Sequence, residues 1–134
     1  IKRYDLDSAI IFSDILLVPY ALGQDVKFIK DSGPKLSTFG IKNFLNNNKN
    51  DFTKKLNPVY EAIKLTRDKL DKRKSLISFI GAPWTLLVYM MNLKVNKDEI
   101  DFRKLKEIQT QIDEILEVLI EYLCLHIKNQ IRKL

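Results

Sequence analysis

The chain has one cysteine, Cys124, and one histidine, His126, in 134 residues. A lone thiol excludes an internal disulfide framework, so a reducing, cytoplasmic setting is the expectation. The same scarcity leaves no Cys/His ligand set. Residues two apart on a helix point to different sides, so Cys124 and His126 are not expected to share a metal. Long hydrophobic runs are missing too. Nothing approaches the roughly 20 consecutive apolar residues that a membrane-spanning helix needs, and no secretory signal pattern opens the chain. The first residue is Ile1 and not an initiator Met, which suggests a piece of something longer.

What is present has a globular balance, 46% hydrophobic and 30% charged, in a length that fits one domain. A formal charge of +6 could mark a polyanion partner. The basic excess is mostly lysine, scattered among many Asn and Ile residues. A biased overall composition explains that pattern better than a nucleic-acid site, and no membrane partner is expected either.

Ile10-Ile11-Phe12-Ser13-Asp14-Ile15-Leu16-Leu17-Val18 sets one carboxylate inside a greasy run. An unpaired buried charge is costly, so Asp14 either surfaces or has a function. Ala9 to Phe12 reads as a strand buried on both faces of a parallel sheet. Ser13 and Asp14 would then lie at its C-terminal end, where α/β folds place their sites. Val26 to Ile29 reads as a second short strand, closed by a turn at Ser32-Gly33-Pro34. The Asn-rich stretch within 35–57 reads as a surface loop insert. Asn57-Pro58 has the form of an N-cap and first helical residue, followed by Val59, Ala62, Ile63, Thr66 and Leu70 on one face. Leu76 to Ile80 reads as another strand, Gly81 ends it, and Pro83 opens a helix. Strand, covering helix and strand make a βαβ unit with a parallel pair. Asn96 and Glu99 have the form of a capping box. Beyond them Leu105, Ile108, Ile112, Ile115, Leu116, Leu119, Ile120, Leu123, Ile127 and Ile131 predict one long helix with a continuous apolar stripe. That stripe fits sheet coverage better than a coiled coil. Two strands and three helices cannot close a barrel or bury both faces of a parallel sheet, and a (β/α)8 barrel takes about 250 residues. The fold class is therefore α/β, a portion of a larger assembly.

Three blocks carry a resemblance: Phe12-Ser13-Asp14-Ile15-Leu16 through Pro19 to Ala21-Leu22-Gly23; Phe28 with Gly33-Pro34; and Ser78 to Met90, "SFIGAPWTLLVYM". In this order they resemble the uroporphyrinogen decarboxylase family. The resemblance implies that residues 1–134 are part of a single (β/α)8 TIM-barrel domain, cofactor-free and homodimeric. It implies removal of carbon dioxide from the four acetate side chains of the tetrapyrrole uroporphyrinogen to give coproporphyrinogen. It assigns Asp14 to the pyrrole N–H groups at the centre of the macrocycle. Tyr89 is placed beside that carboxylate and the reacting acetate, and Phe79 is expected to supply backbone polar contact and packing in the cleft. The family's Arg-rich N-terminal motif, a later Ser and a C-terminal His have no counterpart here, and Asn92 to Lys97 stand where the family has a Gly-rich loop. This chain alone is accordingly expected to be inactive.

On pattern alone, an Asp ending a strand is a helix cap or turn former, and a Tyr in an apolar helix is core. Trp84 reads as packing, and Asp5, Asp7 and Asp25 as solvated loop charges. Two other readings stay open: a truncated, non-catalytic module, and a same-fold methyltransferase acting on corrinoid or thiol substrates.

Overall fold

Residues 5–30, 33–94 and 99–134 are described by a computed structural model. Ser8–Ile10 form β1, and Ser75–Ile77 form β4. The two pair in parallel, Ser8 with Ser75, Ala9 with Leu76 and Ile10 with Ile77. The Ile11 N–H carries the ladder one step further to the Ile77 carbonyl, at 2.9 Å. Lys74 ties the strand starts together, donating to Asp5 Oδ1 and to the Leu6 carbonyl, each at 2.7 Å. The expected parallel crossover is therefore present, and the chain is a mixed α/β fold.

Between these strands lie α1 (Leu17–Ala21), β2 (Val26–Ile29), β3 (Gly33–Leu36), α2 (Ile41–Leu45) and α3 (Lys49–Lys69). Gly23, at φ +95°, closes α1, and the Gln24 N–H reaches back to the Pro19 carbonyl at 3.0 Å. β2 occupies the expected residues, but Gly33-Pro34 do not simply end it. They open β3, which pairs antiparallel with β2 from Val26–Leu36 to Ile29–Gly33. Proline is tolerated there because the strand lies at an edge. Ser32, assigned to the same turn, lies outside the described residues.

The Asn-rich stretch is a loop only at residues 46–48, between α2 and α3. Asn48 caps α3, its side chain accepting from the N–H groups of Asn50 and Asp51, and the helix runs through Pro58. Asn57 is thus an interior residue and no cap. Pro58 has no N–H for the Lys54 carbonyl, at a cost of about 3 kcal/mol. Phe52 and Leu56, both fully buried, together gain roughly 4 kcal/mol by leaving water. Burial outweighs the proline, and the helix starts two turns earlier than the sequence suggests. Its buried face is Phe52, Leu56, Tyr60 and Ile63, while Ala62 is exposed.

After β4 come α4 (Pro83–Met90), α5 (Phe102–Glu107) and α6 (Ile112–Ile131). Pro83 opens α4 as expected, and Trp84 on its first turn is exposed instead of packed. The predicted long C-terminal helix is broken. Asp101 caps α5 through the N–H groups of Arg103 and Lys104, and a 3-10 turn at Gln109–Gln111 separates α5 from α6. α5 buries none of its residues, so no packing holds it in line with α6. Asn96 of the expected capping box lies outside the described residues.

The apolar stripe of α6 also divides. Ile115, Leu119 and Leu123 enter the core, while Ile120, Ile127 and Ile131 stay exposed. α6 packs against α3 and α4, α1 packs against α3 and α4, and their joint core holds Phe52, Leu56, Leu86, Leu87, Met90, Ile115 and Leu119. One face of the parallel pair is left open. Ile10 is 63% and Phe12 81% exposed, with Ile77 and Phe79 beside them.

Candidate functional site

The site forms where the parallel pair runs out. Extending the register places Phe12 level with Phe79, and their rings meet edge to face, with centroids 5.6 Å apart. Two residues beyond Phe12 the chain turns into α1, and Asp14 sits half-buried at that corner. Its Oδ1 accepts the Leu16 N–H at 2.8 Å, and its carbonyl accepts the Leu17 N–H at 3.1 Å. Asp14 therefore does cap the turn. A carboxylate has two oxygens, each with more than one acceptor direction, and Oδ2 has no partner among the described residues. The cap fixes the side chain and leaves an acceptor edge available.

Gly81 makes this corner possible. A Cβ there would lie 3.0 Å from Ile15 Cβ and 3.0 Å from Leu86 Cγ and Cδ2. The glycine lets the connection between β4 and α4 press directly onto the residue after Asp14. Pro83 then starts α4, and the register of that short helix sets Leu86, Leu87 and Met90 inward and Tyr89 half-buried at the margin.

The Tyr89 hydroxyl makes no hydrogen bond to the described residues, and none joins it to Asp14. Its ring is covered instead by Lys94, whose Nζ lies 5.2 Å from the centroid. Such a contact is worth about 0.5–1 kcal/mol at an exposed site. The chain beyond α4 is held by polar contacts that the sequence did not announce. Asn92, at φ +49°, accepts the Leu36 N–H at 3.2 Å and donates to the Leu36 carbonyl at 2.9 Å. Gln24 donates to the carbonyls of Ser37 and Met90 at 3.0 and 2.9 Å. Together they pin the β2–β3 hairpin to the end of α4. The departure from a Gly-rich loop after Met90 was the one signal pointing there.

His126 lies elsewhere, 2% exposed between α3 and α6. The Gln130 amide donates to His126 Nε2 at 2.9 Å, which leaves Nδ1 to donate to Tyr60 Oη, also at 2.9 Å. Burial lowers the His126 pKa to about 4 and raises that of Tyr60 to about 12. Cys124 is exposed while His126 is buried. Among the described residues no three His, Cys, Asp or Glu side chains gather as metal ligands, and no helix is long and apolar enough to cross a membrane.

A strand-end carboxylate, an aromatic pair and a helix started by Gly-x-Pro define the class: a mixed α/β protein with a polar group at the C-terminal end of its parallel strand pair. The family model for uroporphyrinogen decarboxylase matches residues 1–132, and the chain belongs to that family. A uroporphyrinogen decarboxylase of Rickettsia bellii (strain RML369-C) is 41% identical over 136 residues, covering 98% of this chain and 39% of its own length. One from Wigglesworthia glossinidia brevipalpis is 42% identical over 123 residues, covering 90% and 33%. A third, from Jannaschia sp. (strain CCS1), is 36% identical over 135 residues, covering 96% and 39%. The chain thus spans no more than 39% of the length of these relatives.

Proposed function

We propose that the protein carrying this chain is a uroporphyrinogen decarboxylase, converting the four acetate side chains of uroporphyrinogen to methyl groups without a cofactor. The chain would contribute part of a (β/α)8 barrel. The open face of Ile10, Phe12, Ile77 and Phe79 supports this, because a two-stranded sheet with an exposed apolar face needs further strands to be stable. A homodimer is part of the same proposal, resting on the family resemblance alone, and the exposed, solitary Cys124 fits a cytoplasmic setting.

The observation that carries the reading is Asp14, fixed by one oxygen, with no partner for the other among the described residues, two residues beyond the Phe12 that meets Phe79. Protonation of the pyrrole ring that bears an acetate makes that ring an electron sink. The bond between the acetate methylene and its carboxylate breaks, carbon dioxide leaves, and the electron pair flows into the ring. A proton then adds to the methylene carbon to give the methyl group, and the ring gives up its extra proton. A cation in a dry cleft is costly unless a fixed anion faces it, and one well-placed interaction of this kind is worth roughly 3–4 kcal/mol. Asp14 would supply that anion and accept pyrrole N–H groups. Tyr89, whose hydroxyl has no partner among the described residues, would orient the acetate by donating to it, and Phe79 would pack against the macrocycle.

The test is product analysis with the full-length protein and uroporphyrinogen under reducing conditions. Coproporphyrinogen should accumulate in the presence of a metal chelator. Methyl transfer to a thiol that the chelator blocks would overturn the reading in favour of the methyltransferase alternative.

A further inference from the structure

Lys94 is the cation nearest in sequence to Tyr89, and the fold holds it there. Lys94 bridges antiparallel to Ile100, and the Asp101 N–H donates to the Leu93 carbonyl at 2.7 Å, so the chain at Leu93 and Lys94 is tied to the chain at Ile100 and Asp101. The Asp101 carboxylate is taken up by the N–H groups of Arg103 and Lys104. Among the described residues no carboxylate oxygen lies within ion-pair distance of Lys94, although Lys49, Lys54, Lys74 and Lys133 all have such partners. The Lys94 ammonium is exposed, set 5.2 Å over the Tyr89 ring, and has no counter-ion among the described residues.

We infer that Lys94 binds a carboxylate of the tetrapyrrole substrate, next to the acetate that Tyr89 orients. The inference rests on the reading above that Tyr89 faces the substrate. The carboxylate concerned is a non-reacting one. A cation on the departing carboxylate would stabilise the anion that has to become neutral carbon dioxide, and would slow the step. An ammonium offset from the phenol by a ring's width suits a neighbouring side chain instead. The interaction is then the same in ground and transition state, and its loss belongs in KM and not in kcat.

The experiment is steady-state kinetics of the full-length protein with Lys94→Met, Lys94→Arg and Asp14→Ala. Lys94 is exposed, so its variants should fold, and circular dichroism checks that they do. A charge-assisted contact predicts KM raised about tenfold in Lys94→Met, kcat within about twofold of wild type, and near-complete rescue by Arg. The wild-type KM should rise with salt, and that of Lys94→Met should rise less. If Asp14→Ala abolishes turnover while Lys94→Met leaves KM unchanged, or lowers kcat alone, the inference is overturned and the decarboxylase reading stands. If the wild-type protein does not decarboxylate uroporphyrinogen, both fall.

Discussion

The backbone N–H of Leu16 donates to Oδ1 of Asp14 at 2.8 Å, which makes one residue both a turn cap and the mounting of a candidate anion. The two roles are separable by substitution. Asp14→Asn keeps an oxygen for Leu16 and removes the charge. Asp14→Ala removes both, and the lost cap should lower stability by about 1 kcal/mol. Urea unfolding of the two variants checks this: Asn should match wild type and Ala should not.

Gly81→Ala should disturb the same corner from the opposite side. Its Cβ would stand 3.0 Å from Ile15 and Leu86, and overpacking of this kind costs about 1–3 kcal/mol. Because Ile15 adjoins Asp14, turnover should fall as well. A thermal melt together with an activity assay tests both effects, and a variant with wild-type stability would contradict the close packing.

The strands were legible in the sequence because their apolar residues are contiguous. Ala9 to Phe12 and Leu76 to Ile80 each name their strand to within a few residues. The start of α3 was not legible, because Phe52 and Leu56 are spaced among Asn, Lys and Asp residues that mask a helical period. β3 was missed because Gly33-Pro34 reads as punctuation and its place in a hairpin depends on pairing with β2. The division of α6 into buried and exposed stripes is set by which neighbours pack on it, which no one-dimensional pattern records. Asp14, Phe79 and Tyr89 were picked out by the blocks around them, whereas Lys94 and Asn92 depend on how the chain closes after α4.

Asn92 should be hard to replace. Alanine there would keep the φ of +49° without the side-chain bonds to Leu36, and glycine would relieve the backbone without restoring those bonds. Alanine should cost about 2 kcal/mol from strain and two lost hydrogen bonds, with glycine intermediate. Chemical denaturation of both variants gives the order, and equal losses would show that the backbone conformation does not matter.

Acid should weaken the α3–α6 contact through His126. Its folded pKa is lowered from 6.5 to about 4 by burial, so between those values the unfolded chain binds the extra proton. Stability should hold above pH 6.5 and decline as pH falls toward 4, losing at most about 3 kcal/mol. His126→Phe should remove that slope in a series of urea melts taken from pH 7.5 to 4. An unchanged slope would place the acid sensitivity elsewhere.

The charge on Asp14 is tested most directly by kcat of the Asp14→Asn variant in the full-length protein with uroporphyrinogen. The stabilisation of a protonated pyrrole by a fixed anion predicts a fall of about 100-fold or more, with the melting midpoint unmoved. Turnover within a few-fold of wild type would show that the carboxylate serves the turn alone.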